Sequence, residues 1–307
     1  MYCKYVYKAS ATQANILADV VAVLTGTSSV ASLSSDCDKV NSVLITTVAA
    51  GWTVHDPSAG TNSQVLKAAF ADDTATFKYL WISTNTSGYI ITAIYETWNA
   101  STHTGTNLCY YSNNTTVSQR IVTSGSNILN VLATARYALF LSDTGAGYTN
   151  KGPSSGYCVS GVVERTREMS WDTPAAGYPP YLYFCWGGLS PAYAPRVKAR
   201  GTGDLTGSSA TMNLGPVYHS SLSNIETGFI PDAGGNQYAL ASSINVNRAG
   251  LSYNYASLFG NITSSCDIWV LPLSTYNTYD QVSMDGKTYL ALPFNANDTG
   301  KILIRMA

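Results

Sequence analysis

Thr76-Phe77-Lys78-Tyr79-Leu80-Trp81-Ile82, followed by Ser83-Thr84-Asn85-Thr86-Ser87-Gly88 and then by Tyr89 to Trp98, is the stretch that decides the fold. Two runs rich in aromatic and β-branched residues flank a cluster of Ser, Thr, Asn and Gly, the pattern of a β-hairpin. Side chains alternate across a strand, so Phe77, Tyr79 and Trp81 share one face and Ile90, Ile94 and Trp98 are grouped on the second strand. Aromatic cross-strand contacts of this kind stabilise a sheet, and core packing is the expected role of these rings.

Working outward, the same pattern recurs. Val40 to Val48 and Trp52-Thr53-Val54 read as strands, as do Ile128 to Ala133, Tyr137 to Leu141, Tyr157 to Val163, Tyr181 to Trp186, Met212 to Val217 and Asp267 to Leu271. Near the end, Gln281 to Met284 leads into the Asp285-Gly286 turn and Lys287 to Leu292, with Lys301 to Met306 as a last strand. One helix stands apart: Ile16, Leu17, Val20, Val21 and Leu24 recur at helical spacing, with Ser10 and Gln13 as a capping box and Gly26 as the stop. The expected fold is mainly β, antiparallel sheets in a sandwich or barrel-like arrangement, with this N-terminal helix packed on a sheet. Its 307 residues suit one large β domain or two smaller ones. The polar stretch 112–126 marks a linker or loop between a helix-plus-sheet domain over 1–111 and a β-rich domain over 127–307.

Only 11% of residues are Asp, Glu, Lys or Arg, where an ordinary soluble domain carries about 25%. Ser, Thr, Asn and the 22 tyrosines must cover much of the surface instead. Subunit contacts favour such a surface, because a charge buried without a partner is costly. The net charge of −1 gives no bulk attraction to nucleic acid or to an anionic membrane. Arg196, Lys198 and Arg200 form a local exception, a basic stripe on one strand face. It could meet a phosphate or an acidic partner, but the preferred reading is a solvated edge that discourages strand pairing.

The opening Met1-Tyr2-Cys3-Lys4-Tyr5-Val6-Tyr7 lacks the apolar core of a signal peptide, and no run reaches the roughly 18 apolar residues of a membrane-spanning helix. Synthesis in a cytoplasm is expected. The six cysteines, Cys3, Cys37, Cys109, Cys158, Cys185 and Cys266, are scattered without a CxxC pair, so buried free thiols are expected.

Motifs for chemistry lack their structural setting. Gly152-Pro153-Ser154-Ser155-Gly156 fits GxSxG as text, yet a turn-rich loop precedes a strand there instead of a strand preceding a helix. Gly286-Lys287-Thr288 ends like a phosphate-binding loop, but Gln281 stands where the first glycine belongs. His55, His103 and His219 are far apart in sequence, and Glu164 and Glu168, interleaved with Arg165 and Arg167, read as a surface ion-pair ladder. No catalytic residue, metal or cofactor is expected.

Several segments carry a resemblance: Gly51-Trp52-Thr53-Val54, Gly60-Thr61-Asn62, Val65-Leu66-Lys67-Ala68, Tyr95-Glu96-Thr97-Trp98, Gly105-Thr106-Asn107, Ser170 to Pro180 and Asp285 to Leu292. Together they resemble structural proteins of tailed bacteriophages, particularly tail, neck and baseplate components. The resemblance implies a virion subunit, assembled in the bacterial host cytoplasm, whose partners are other copies of itself and other virion proteins. Two alternatives stand beside it. One is a receptor- or glycan-binding module of a phage tail using Trp81, Trp98, Trp171 and Trp186, which would meet a host surface glycan. The other is a polysaccharide hydrolase, if folding brings Glu164 or Asp172 against a second carboxylate.

Overall fold

A computed structural model describes residues 2–7, 12–27, 37–38, 50–71, 73–84, 89–106, 119–120, 127–143, 158–164, 181–187, 196–198, 211–215, 230–231, 237–238, 242–243, 245–247, 258–261, 266–271, 276–277, 279–293 and 301–306. Among the described residues strands dominate, every pairing is antiparallel, and the helix Gln13–Thr25 is packed against sheets, as the sequence led us to expect. Among the described residues the largest sheet has ten strands. Its order is Cys37–Asp38, Tyr2–Tyr7, Asn127–Thr134, Tyr137–Asp143, Cys158–Glu164, Tyr181–Gly187, Arg196–Lys198, Thr211–Gly215, Asn245–Asn247 and Leu258–Asn261.

The hairpin on either side of residues 85–88 belongs to a meander running Thr53–Gly60, Ser63–Ala69, Phe77–Thr84 and Tyr89–Tyr95, with Gln119–Arg120 at its edge. A further sheet gathers Ser242–Ser243, Ile268–Leu271, Lys301–Arg305, Lys287–Pro293 and Gln281–Met284. The Asp285-Gly286 turn joins its last hairpin with both residues at positive φ, 51° and 72°, the conformation that a two-residue loop between twisted strands requires.

Helix capping differs from the expected Ser10 box. Thr12 is the N-cap, its Oγ1 accepting from the Asn15 amide at 3.2 Å, while Gly26 closes the other end in the left-handed region at φ 72°. Ser10 itself lies outside the described residues.

The layers follow from alternation. Cys3, Tyr5, Leu129, Val131, Ala133, Ala138, Phe140 and Val162 share one face of the large sheet. They pack with Ile16, Leu17, Val20, Val23 and Leu24 of the helix and with Leu66, Ala68, Leu80, Ile82, Ile90 and Ile94 of the meander. The helix is pinned at both sides: the Tyr5 hydroxyl donates to the Asp19 carbonyl, and Thr84 Oγ1 donates to that of Gln13. On the opposite face of the large sheet, Tyr137, Leu139 and Val163 are also buried. There the Tyr137 hydroxyl donates to the Arg305 carbonyl of the C-terminal sheet. Residues on both sides of 112–126 thus enter one apolar cluster, and Tyr2–Tyr7 pairs directly with Asn127–Thr134.

Candidate functional site

The meander turns one face inward and one outward, and the aromatic residues take the outward side. Lys78, Leu80 and Ile82 are buried, whereas Phe77, Tyr79 and Trp81 are half-buried, which reverses the expected core role of these rings. Register places Val65, Trp81 and Ala93 in one row of this face, where Val65 and Ala93 are themselves buried, and the half-buried Lys67, Tyr79 and Tyr95 in the next. His55 lies against Tyr79 at 5.0 Å between ring centroids, and Lys67 Nζ stands 4.8 Å over the Phe77 ring.

Trp98 does not continue the Ile90 and Ile94 stripe. Those two isoleucines are in the core, but the chain breaks at Glu96, and Thr97–Asn99 pairs with Thr104–Thr106 in a small separate hairpin. The Trp98 ring then meets Tyr95 edge-on at 4.9 Å. Gly105 is needed beneath them, because a Cβ there would come within 2.3 Å of Tyr95 Cδ1 and 2.7 Å of Trp98 Cε3.

Asp56 clasps this hairpin to the meander. Its buried carboxylate accepts from Trp98 Nε1 and from His103 Nδ1, both at 2.8 Å to Oδ2, and from the Ser58 amide at 3.0 Å to Oδ1. Burial alone would push the Asp56 carboxyl up; the bonds from His103, Trp98 and Ser58 outweigh it and hold the group below its ordinary value. His103 sits at φ 53° with an exposed side chain, and His55 Nε2 is 3.4 Å from the Trp98 carbonyl oxygen. Folding therefore brings two of the three histidines to Trp98. An Asp–His pair can orient a general base, yet among the described residues no hydroxyl or thiol is hydrogen-bonded to His103.

A second polar centre lies inside the molecule. Lys78 Nζ is 2.5 Å from Glu164 Oε1, with the two side chains 0% and 6% exposed, and Nζ also donates to the Ala69 carbonyl at 3.0 Å. The ammonium faces the rings of Trp52 at 5.3 Å and Phe70 at 5.0 Å. Burial pushes Lys78 down and Glu164 up against their mutual attraction. The surface ladder expected at Glu164 is thus overturned: the residue follows Val162 on the inward face and meets a lysine from the meander. Arg165, Arg167, Glu168 and Asp172 lie outside the described residues.

In the C-terminal sheet, Asp267 at φ 58° accepts from Trp269 Nε1 at 2.9 Å and the Tyr289 hydroxyl at 2.8 Å through Oδ1. Its Oδ2 meets Lys287 Nζ at 2.6 Å and Arg305 Nη1 at 3.3 Å. Burial again raises its carboxyl, and the bonds from Lys287, Trp269 and Tyr289 more than reverse that.

Of the basic stripe, Arg196 and Lys198 stand opposite Cys185 and Tyr183 on a strand paired on both sides, so the expected sheet edge is absent there; Arg200 lies outside the described residues. The GxSxG stretch and His219 also lie outside them, as does Trp171, whereas Trp186 is placed opposite Val159. Cys3 and Cys266 are buried, and the Cys266 thiol donates to the Glu164 carbonyl at 3.1 Å. Among the described residues, no group of three His, Cys, Asp or Glu could hold a metal ion, and no helix is long and apolar enough to cross a membrane. No known protein-family model matches the chain, and neither does the sequence of any curated protein.

Proposed function

We propose that the protein is a non-enzymatic structural subunit of a tailed-phage virion, in the tail, neck or baseplate, held by symmetric contacts with its own copies and with other virion proteins. The observation that carries this reading is a sequence sparse in charge, in which Phe77, Tyr79, Trp81 and Tyr95 stand half-buried on one face of the meander. Aromatic rings of this kind contribute large contact area at protein interfaces, and repetition around a symmetry axis sums modest contacts into a durable particle. The likeness of the quoted segments to tail, neck and baseplate proteins supports the same assignment. Light scattering of the purified chain should give an oligomer that the Trp81→Ser variant weakens, and peptides of the chain should be present in intact particles. Absence from virions would remove the proposal.

The half-exposed Trp81 and Trp98 favour one second reading, a host glycan or receptor-binding module, since aromatic faces stack on sugar rings. A glycan array separates the two: a monomer that binds a host surface sugar, and loses it on Trp81→Ala, supports recognition over scaffolding.

A further inference from the structure

The Lys78 and Glu164 pair has the geometry of two reactants. A primary amine nitrogen and a carboxyl oxygen lie 2.5 Å apart, almost wholly buried, on strands belonging to different sheets. Trp52 and Phe70 bound the nitrogen on their ring faces, so the chamber around it is largely apolar. We propose that Lys78 and Glu164 condense into an isopeptide bond that fastens the meander covalently to the large sheet.

Three features favour the step. The groups are held in contact by the fold, and well-oriented intramolecular reactions reach effective concentrations on the order of 10⁵–10⁸ M. Burial lowers the affinity of Lys78 for its proton and raises that of Glu164, which favours the free amine, the nucleophile, facing a neutral acid, the better electrophile. The product also keeps the neighbouring backbone satisfied. Its amide N–H can still donate to the Ala69 carbonyl, and its carbonyl oxygen can accept from the Ala71 amide that now bonds the carboxylate. Two buried charges become one hydrogen-bonded neutral group, which a low-dielectric interior favours.

The chemistry balances without an added reagent. Nζ attacks the Glu164 carboxyl carbon, the Nζ–Cδ bond forms and one Cδ–O bond breaks. The departing oxygen leaves as water, carrying its own hydrogen and one from the nitrogen. Nothing is oxidised or reduced.

The intact mass of the purified full chain decides the matter. The mass should fall short of that of the sequence by one water, and trypsin should release a branched peptide joining residues 68–120 to 152–165, uncleaved after Lys78. Lys78→Arg, which keeps the charge but removes the primary amine, should restore the full mass. Glu164→Gln should lose ammonia in place of water if it still reacts. A wild-type chain of full mass with free cleavage after Lys78 overturns the proposal, as does a water loss that persists in Glu164→Ala. The wild-type measurement needs no variant to fold.

Discussion

Lys78 lies in phase with Leu80 and Ile82, so the strand that carries it must bury an ammonium wherever it buries those two. Removing one partner of a buried ion pair strands the other in a medium that cannot solvate it, at a cost of about 3–5 kcal/mol. Glu164→Ala leaves the Lys78 amine buried with neither a carboxylate partner nor an amide link to Glu164, and we expect it to lower unfolding free energy by at least about that amount in urea titrations, with little change on substitution of neighbouring exposed residues. Asp56 and Asp267 set the acid limit. Their folded carboxyls bind protons less readily than the ordinary value of 3.8, so the unfolded chain takes up protons first. Their stabilisation is fully present above that value and is lost as pH falls through the lower folded one. Urea midpoints measured from pH 6 down to roughly pH 3 should drop, and Asp56→Asn should flatten part of the decline.

The elements were the most legible part of the sequence, because strand alternation and turn chemistry are local. The hairpin at Asp285-Gly286, the pair Asn127–Thr134 with Tyr137–Asp143, and the Gly26 stop all appear where their residues pointed. Which face turns inward was not local. Phe77-Lys78-Tyr79-Leu80-Trp81-Ile82 offers an aromatic face and an aliphatic face with a lysine in it, and the choice depended on the helix and large sheet waiting on one side. The clasp at Asp56 was hidden for the same reason: its partners Trp98 and His103 are 42 and 47 positions away. A signal was present at Gly105, a glycine in the interior of a short strand that pairs opposite Trp98. Gly105→Ala should force the Tyr95 and Trp98 rings apart, costing about 1–3 kcal/mol as overpacking does. Tryptophan fluorescence during thermal unfolding would show the lower midpoint.

At the scale of the molecule, the large sheet is buried on both faces near its middle, which explains why Tyr137 to Leu141 reads as almost continuously apolar. Its two coverings are attached differently. The helix and meander share an extended apolar cluster with it, while the described hydrogen bonds to the C-terminal sheet include that from the Tyr137 hydroxyl to the Arg305 carbonyl. Burial pushes the Tyr137 phenol far above its ordinary range, so that donor stays protonated across the pH range in which proteins are folded. Tyr137→Phe should cost about 1 kcal/mol, and amide hydrogen exchange across residues 301–306 should quicken more than in the meander.

The pairing of Tyr2–Tyr7 with Asn127–Thr134 also sets a timetable for biosynthesis. A ribosome releases the first strand and the helix long before their partner has been translated, whereas the meander can close hairpin by hairpin as it emerges. For that interval the leading strand offers Tyr2–Tyr7 to any passing nascent chain. Slow translation between residues 100 and 130 would lengthen that exposure.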